Sequence, residues 1–223
     1  MAVAAELTIW GPAGDHIPTH CDWYRYLWSR LHEDAPESMD FRHNMLKVIT
    51  YNYDTSLERF LSRAALNLNP DINNEGDTAA DSLVNGTVPV LHLHGALGDD
   101  AKVIHTARDR SQFLRIDLLQ RLARGIRTVN EPEAERRYTQ AHAWLQEAES
   151  VHILGFGFHN TNVKRLALKD LKAAGAKWQS FGATAVKLAG ADRSRKEALL
   201  DLGPDTFHEM DCLSYLQSQV NLS

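Results

Sequence analysis

The sequence has only two cysteines, Cys21 and Cys212, among its 223 residues. Two thiols are too few for a disulfide scaffold or a four-thiolate zinc site, and they predict reduced thiols. No apolar run reaches the roughly 20 residues that cross a bilayer, and no signal-peptide pattern marks the N-terminus. A net charge of −5 provides no basic surface for nucleic acid. We therefore expect a cytoplasmic protein with no membrane or nucleic-acid partner.

What the sequence does contain is a regular alternation of strand and helix patterns. Strands are predicted at 46–51, 88–95, 151–158, 176–182 and 206–210, and helices at 21–33, 55–68, 109–127, 131–149, 163–171, 194–202 and 212–219. Continuous apolar strands alternating with helices are typical of a parallel sheet covered on both faces. The pattern therefore predicts a doubly wound, Rossmann-like α/β domain over residues 21–223. Residues 1–20 are weakly patterned and are interpreted as an irregular N-terminal arm, although ELTIWGPAGD at 6–15 also allows a short strand that ends in a Gly-Pro turn.

Two polar residues, Asn52 and Asp54, follow the strand predicted at 46–51. Ligands of open parallel sheets bind beyond the carboxyl ends of the strands, so both side chains are candidates for a ligand site. Each residue also has a structural explanation. Asp54 suits the start of a helix whose segment 55–58, Thr-Ser-Leu-Glu, fits a capping box, and Asn52 suits a loop amide bonded to its own backbone. The sequence alone leaves both explanations open.

A second strand end carries two histidines in the segment LHLHG, residues 91–95. Strand alternation predicts that His92 and His94 face one side of the sheet and that the two leucines face the other. Histidine suits proton transfer near neutral pH, and a following glycine leaves room for a substrate. The alternatives are two structural histidines or part of a metal site, for which the spacing suggests no third ligand.

The third unusual strand end is LGFGFHNTN, residues 154–162. Its glycines permit a close approach of the backbone, and the helix predicted shortly afterwards could direct backbone N–H groups towards a phosphate or a ribose. Gly-x-Gly is only part of the dinucleotide-binding fingerprint. A tight turn without any ligand explains the same residues.

These three segments, TYNYD (50–54), LHLHG (91–95) and LGFGF (154–158), resemble in this order the motif set of the sirtuin-like NAD-binding domains. The likeness is strongest to the bacterial sirtuin-like group that lacks the zinc module of the deacetylases. It extends over roughly residues 23–217, including the helical segments WYRYLW and DCLSYL. The resemblance implies the same α/β fold and NAD as the substrate.

The resemblance also implies a role for each matched position. His94 matches the general base that acts on the nicotinamide ribose, with Gly95 behind it, and Asn52 matches the amide that orients that ribose or the attacking water. Asp54 matches the residue near the nicotinamide carboxamide, and Thr50 lines the same crevice. The positions matched to the far ribose are Gly155, Gly157 and Phe158. We therefore expect these residues to lie along one edge of the sheet, with His94 facing the same crevice as Asn52.

Two features of the family pattern are missing from the sequence. There are no paired Cys-x-x-Cys motifs, so we expect neither zinc nor protein deacetylation. A strand ending in Gly-Ala-Gly-x-Ser, which holds the pyrophosphate in the family, does not precede residue 48; the nearest segment, WGPAGD at 10–15, lacks the serine and contains a proline. The sequence therefore leaves open that the first strand is absent, and it predicts weakened NAD binding.

The leading functional interpretation is an NAD glycohydrolase that releases nicotinamide from NAD. The alternative is a non-catalytic module that binds NAD or ADP-ribose, or serves only as an interaction scaffold, within a larger antiviral-defence or signalling protein. In either case the expected ligand is a small nucleotide. The sequence leaves open a homo-oligomer or a larger partner chain.

Overall fold

The computed structural model describes residues 2–5, 22–33, 44–68, 86–96, 132–185 and 193–220. Within these ranges the strands are β1 (Ala2–Ala5), β2 (Lys47–Thr50), β3 (Val90–His92), β4 (Ser150–Leu154), β5 (Ser180–Thr184) and β6 (Thr206–His208). The helices are α1 (Asp22–Glu33), α2 (Ser56–Leu68), α3 (Pro132–Glu147), α4 (Asn160–Leu166), α5 (Leu168–Ala173), α6 (Arg193–Leu202) and α7 (Cys212–Gln219). The helix predicted at 109–127 lies outside the described residues.

The strands of the described ranges form one sheet in the order β3-β2-β1-β4-β5-β6. Every neighbouring pair is parallel. Strand order that runs outward in both directions from a central first strand defines a doubly wound α/β sheet. The predicted fold class is therefore confirmed. None of the helices in these ranges combines the length and the apolarity needed to cross a membrane.

The central strand lies in the segment that the sequence pattern predicts to be an irregular arm. The backbone of β1 pairs with β2 through Ala2 opposite Lys47, and with β4 through Ala2 opposite Val151. A four-residue run containing three alanines gives a weak strand signal, because alanine has a low β propensity. The interpretation of residues 1–20 as irregular is thus wrong for this strand, and the central strand is present. The segment at 10–15 lies outside the described residues.

The two faces of the sheet carry separate cores because side chains alternate along each strand. Ile49 packs on the face covered by α3, α4 and α6, whereas Val48 packs on the face covered by α1, α2 and α7. Both residues are almost completely buried. A residue near the end of a strand therefore belongs to one face or the other, and this decides which helix it contacts.

A buried polar pair occupies the core between β4 and α7. The Nδ1 atom of His152 lies 3.0 Å from the hydroxyl oxygen of Tyr215, and both side chains are buried. Burial lowers the pKa of His152 to about 4, so the imidazole is neutral at neutral pH. The Tyr215 ring passes directly over Gly182 of β5, and a β-carbon at that position would overlap the tyrosine hydroxyl.

The replacement Gly182→Ala is therefore expected to destabilise the fold. The added methyl group must displace a fully buried tyrosine, and overpacking of this kind costs about 1–3 kcal/mol. Chemical denaturation followed by circular dichroism should show that decrease in the free energy of unfolding. The matched control is Gly86→Ala, because a β-carbon built there meets no atom within 4 Å. Equal stabilities for the two variants would contradict the packing described for Tyr215.

Candidate functional site

The first part of the candidate site is the chain that leaves β2. Thr50 is buried, and its hydroxyl oxygen accepts the backbone N–H of Asn52 at 3.1 Å. Asn52 is also buried, but its side-chain Nδ2 has no hydrogen-bond partner among the described residues. A buried donor without an acceptor costs about 1–3 kcal/mol, so a ligand that supplied the acceptor would recover this free energy. The proposal that the Asn52 amide simply bonds its own backbone does not account for this geometry.

One carboxylate oxygen of Asp54 bonds to the start of α2, and the other is unused. Its Oδ1 atom accepts the backbone N–H of Ser56 at 3.1 Å and is also bonded to the Ser56 hydroxyl. This is the helix-start role that the sequence suggested for Asp54. Its Oδ2 atom is buried and has no partner within the described part of the chain. The strand end thus offers one unused donor, on Asn52, and one unused acceptor, on Asp54.

The second part of the site is the turn that follows β3. The strand ends at His92, and the Leu93 N–H still bonds to the Thr50 carbonyl at 2.9 Å. A turn then closes with the Gly95 N–H donating to the His92 carbonyl at 3.2 Å, and Gly95 has φ of 85°, which favours glycine. Since the turn begins at Leu93, the alternation of side chains stops there.

The two histidines consequently point to different faces, and the prediction that they share one face is wrong. His92 is buried against α2, where its Nε2 atom lies 2.6 Å from Oε1 of Glu58. His94 instead contacts the α3 side, where its Nε2 atom lies 3.5 Å from the hydroxyl oxygen of Tyr138. The structural explanation therefore fits His92, and the half-buried His94 is the histidine available to a ligand.

Aromatic side chains surround the imidazole of His94. The Tyr51 ring meets it edge to face at 5.3 Å between centroids, and the Tyr53 ring lies at 6.2 Å. These tyrosines precede and follow Asn52 in the chain, so the backbone at 51–53 passes His94. That the Asn52 side chain faces the same crevice as His94 stays a prediction. Within the described part of the chain, no hydrogen bond joins their side chains directly. Only a ligand that contacts both side chains could link Asn52 to His94.

The electrostatic surroundings keep His94 in its neutral form. Burial lowers the pKa of His94, and the positive charge of Arg165 lowers it further. The Arg165 guanidinium lies over the Tyr138 ring at 3.9 Å from its centroid, which holds the charge near the imidazole. A neutral imidazole can accept a proton, as a general base must. Tyr138 and Arg165 lie outside the three motifs, and no local pattern indicates either of them.

The glycine-bearing end of β4 forms the third part of the predicted site. Gly155 has φ of 60° and donates its N–H to the Thr184 carbonyl at 3.1 Å, so this donor is used within the sheet. Gly157 is half-buried. Phe158 adopts φ of 50°, and its ring is buried against Phe207 at 5.9 Å. This strand end shares the carboxyl edge of the sheet with Asn52 and His94, but the Phe158 ring belongs to the core.

The described ranges contain no group of three histidine, cysteine, aspartate or glutamate side chains placed to hold a metal ion. His92 and His94, the pair that the sequence offered as part of a metal site, diverge to opposite faces of the sheet. Their contacts are with Glu58 and with Tyr138 respectively. The two imidazoles therefore do not form a common ligand pair.

Comparison with known protein families identifies this chain. The family described as SIR2-like domain matches residues 46–201, which is more than half of the sequence. The chain therefore belongs to the SIR2-like domain family, as the three motifs predicted, and all three lie inside the matched range. No curated protein and no solved structure matches the chain significantly. Membership of this family supports an NAD-related function and agrees with the Rossmann-like fold.

Proposed function

We propose that this chain binds NAD at the carboxyl edge of its sheet and hydrolyses the bond between nicotinamide and ribose. The observation that carries the proposal is the pair of unused buried polar atoms, Asn52 Nδ2 and Asp54 Oδ2, on the segment whose Tyr51 and Tyr53 rings contact the neutral His94. Buried polar groups are nearly always hydrogen-bonded in folded proteins. Two such exceptions on one strand end, with opposite hydrogen-bonding character, fit a ligand that presents both an acceptor and a donor.

The nicotinamide half of NAD has the required chemistry. Its carboxamide N–H groups suit the Asp54 oxygen, and the ribose hydroxyls or an attacking water suit the Asn52 amide. In the reaction, water adds to the ribose carbon while the glycosidic bond breaks and its electron pair leaves with neutral nicotinamide. The proton released from the water passes to the imidazole of His94. The ribose develops oxocarbenium character, which fixed dipoles and a base stabilise without a covalent enzyme intermediate.

The direct test is to incubate the protein with NAD and to separate the products by liquid chromatography. We expect nicotinamide and ADP-ribose in equal amounts. The reaction without protein serves as the blank, and an acetylated peptide added with NAD tests for deacetylation, which we do not expect. If NAD stays intact while calorimetry detects its binding, the proposed hydrolysis is wrong.

That second result would favour a module that binds NAD or ADP-ribose without cleaving it. One observation supports this alternative. At the glycine-bearing end of β4, the Gly155 N–H is hydrogen-bonded within the sheet and cannot bind a phosphate. The sequence also has no Gly-Ala-Gly-x-Ser motif for the pyrophosphate. Weak binding of the phosphates would leave the nicotinamide end less firmly placed for reaction.

The charge of Arg165 predicts how the activity depends on pH. A base acts only in its neutral form, and Arg165 helps to lower the pKa of His94. The activity should therefore persist below the ordinary histidine pKa of about 6.5 and then fall on further acidification. Arg165→Met removes the charge but keeps an apolar stem over Tyr138, so the acid limb of kcat/KM should move to higher pH.

The matched control for this prediction is Arg193→Met on α6. Arg193 is exposed and pairs with Glu197 at 2.7 Å on the same helix, and its charge is not among the causes that lower the pKa of His94. Its replacement should leave the acid limb where it is in the parent protein. If both variants keep the parent profile, Arg165 does not set the protonation of the base.

A further inference from the structure

The His92 side chain connects two segments that leave neighbouring strands. Its Nδ1 atom lies 2.7 Å from the Asn52 carbonyl oxygen, and its Nε2 atom lies 2.6 Å from Oε1 of Glu58 on α2. Both partners are hydrogen-bond acceptors, so each ring nitrogen donates a proton when Glu58 is ionised. His92 is 7% exposed and the Glu58 side chain 18% exposed, which shelters these bonds from water.

The charges around His92 favour its doubly protonated form. Burial lowers the pKa of His92, but the hydrogen bond and the charge of Glu58, the Asn52 carbonyl and the charge of Asp54 together raise it above the ordinary value. The other charged group at this position is Arg137 on α3, whose Nη1 atom donates to the His92 carbonyl at 2.6 Å. His92 is thus held through its ring and through its backbone.

These bonds fix the relative position of the two residues proposed to act on the substrate. The ring of His92 holds the backbone of Asn52, and the backbone of His92 begins the turn that carries His94 two residues later. A buried ion pair adds little net stability, because desolvation offsets much of the attraction between the charges. Its clearest effect here is geometric, since it ties the ends of β2 and β3 to the first turn of α2.

We propose that Glu58 and His92 form a positioning pair that sets the spacing between Asn52 and His94. The sequence pattern predicts other roles for both residues, a capping box for Glu58 and the face of His94 for His92. The effect of the pair on turnover rests on the proposed NAD hydrolysis. Its effect on the geometry of the strand ends does not.

The decisive variant is Glu58→Gln, which keeps an oxygen acceptor of the same shape and removes only the charge. His92 then loses the negative charge that mainly stabilises its protonated form. Its pKa should fall, so the ring loses one of its two protons at a lower pH than in the parent. We expect kcat for nicotinamide release to fall about 10- to 100-fold, because small displacements of reacting groups have effects of this size. KM should change less than about twofold, and the alkaline limb of kcat should move to lower pH.

The matched control is Glu197→Gln on the exposed face of α6, where the carboxylate pairs with Arg193. This variant loses the same charge from a helix and should retain the parent kcat and the parent pH profile. Equal thermal unfolding temperatures for the two glutamine variants would show that lost stability does not explain the lower kcat.

A second measurement needs no substrate and therefore separates this inference from the proposed function. Nitrogen-15 NMR of the histidine rings should show both nitrogens of His92 protonated at neutral pH in the parent, with resonances assigned from His92→Asn. In Glu58→Gln we expect His92 to titrate at lower pH and the His94 ring resonances to shift. If the parent releases no nicotinamide, these NMR results alone decide the inference. A neutral His92 in the parent, or unchanged His94 resonances and unchanged kcat in Glu58→Gln, would overturn it.

Discussion

Replacement of His94 by alanine should lower the rate of nicotinamide release by about 10²–10⁴-fold, the range that a lost general base typically costs. The prediction follows from the neutral, half-buried imidazole between the rings of Tyr51 and Tyr53. The fold should survive the change, because the His94 side chain makes one long contact of 3.5 Å to Tyr138 and ring contacts to Tyr51 and Tyr53. We expect the free energy of unfolding to fall by less than about 1.5 kcal/mol.

The control for this variant is His208→Ala at the end of β6, on the opposite edge of the sheet. It removes an imidazole of the same size from a position remote in the strand order. Its turnover should equal that of the parent when measured as initial rates at saturating NAD. If His94→Ala and His208→Ala turn over NAD at the same rate, then His94 is not the base and the binding-module alternative is favoured.

Replacement of Asn52 by alanine should separate activity from stability. The buried Nδ2 of Asn52 has no partner among the described residues, so its removal should leave the free energy of unfolding unchanged or raise it by about 1 kcal/mol. Turnover should nevertheless fall about 10²–10³-fold, as it does when a donor that stabilises a transition state is lost. Initial rates and chemical denaturation measure the two quantities.

The control is Asn44, an asparagine whose side chain is hydrogen-bonded within the protein. Asn44 donates to the Thr87 carbonyl at 3.0 Å and accepts from the Leu46 N–H at 2.8 Å, outside the strand ends that carry the site. Asn44→Ala should lower the free energy of unfolding by about 1–2 kcal/mol and leave turnover almost unchanged. A loss of stability in Asn52→Ala as large as that in Asn44→Ala would mean that Asn52 has a structural role.

The fold was predictable wherever a local pattern was strong. The strand before Asn52 contains the buried residues Val48 and Ile49, and the helix after it has an apolar face that includes Leu57 and Leu61, which the structure buries. β1 was not predicted, because a four-residue segment with three alanines gives a weak local signal; its position follows from pairing with two strands distant in sequence. Such long-range pairing cannot be inferred from a single short segment.

The candidate site likewise was predictable only where a local motif marked it. The motifs indicated Asn52, Asp54 and His94 as candidates, but the alternation rule failed at His92 because the strand ends there and a turn follows. Tyr138 lies 44 residues from His94 in the chain, and only the packing of α3 against the sheet brings them together. The capping-box pattern likewise gave Glu58 a local role, whereas its carboxylate meets His92, 34 residues away.

The most direct test of the central claim is to follow NAD by proton NMR in the presence of the parent protein and of His94→Ala. With the parent protein, we expect the anomeric signal of the nicotinamide ribose to decay while the signals of free nicotinamide and ADP-ribose grow in equal amounts. With His94→Ala, the NAD signals should persist over the same time. Intact NAD in both samples, or equal decay in both, would contradict the assignment of this strand-end site as an NAD-hydrolysing centre.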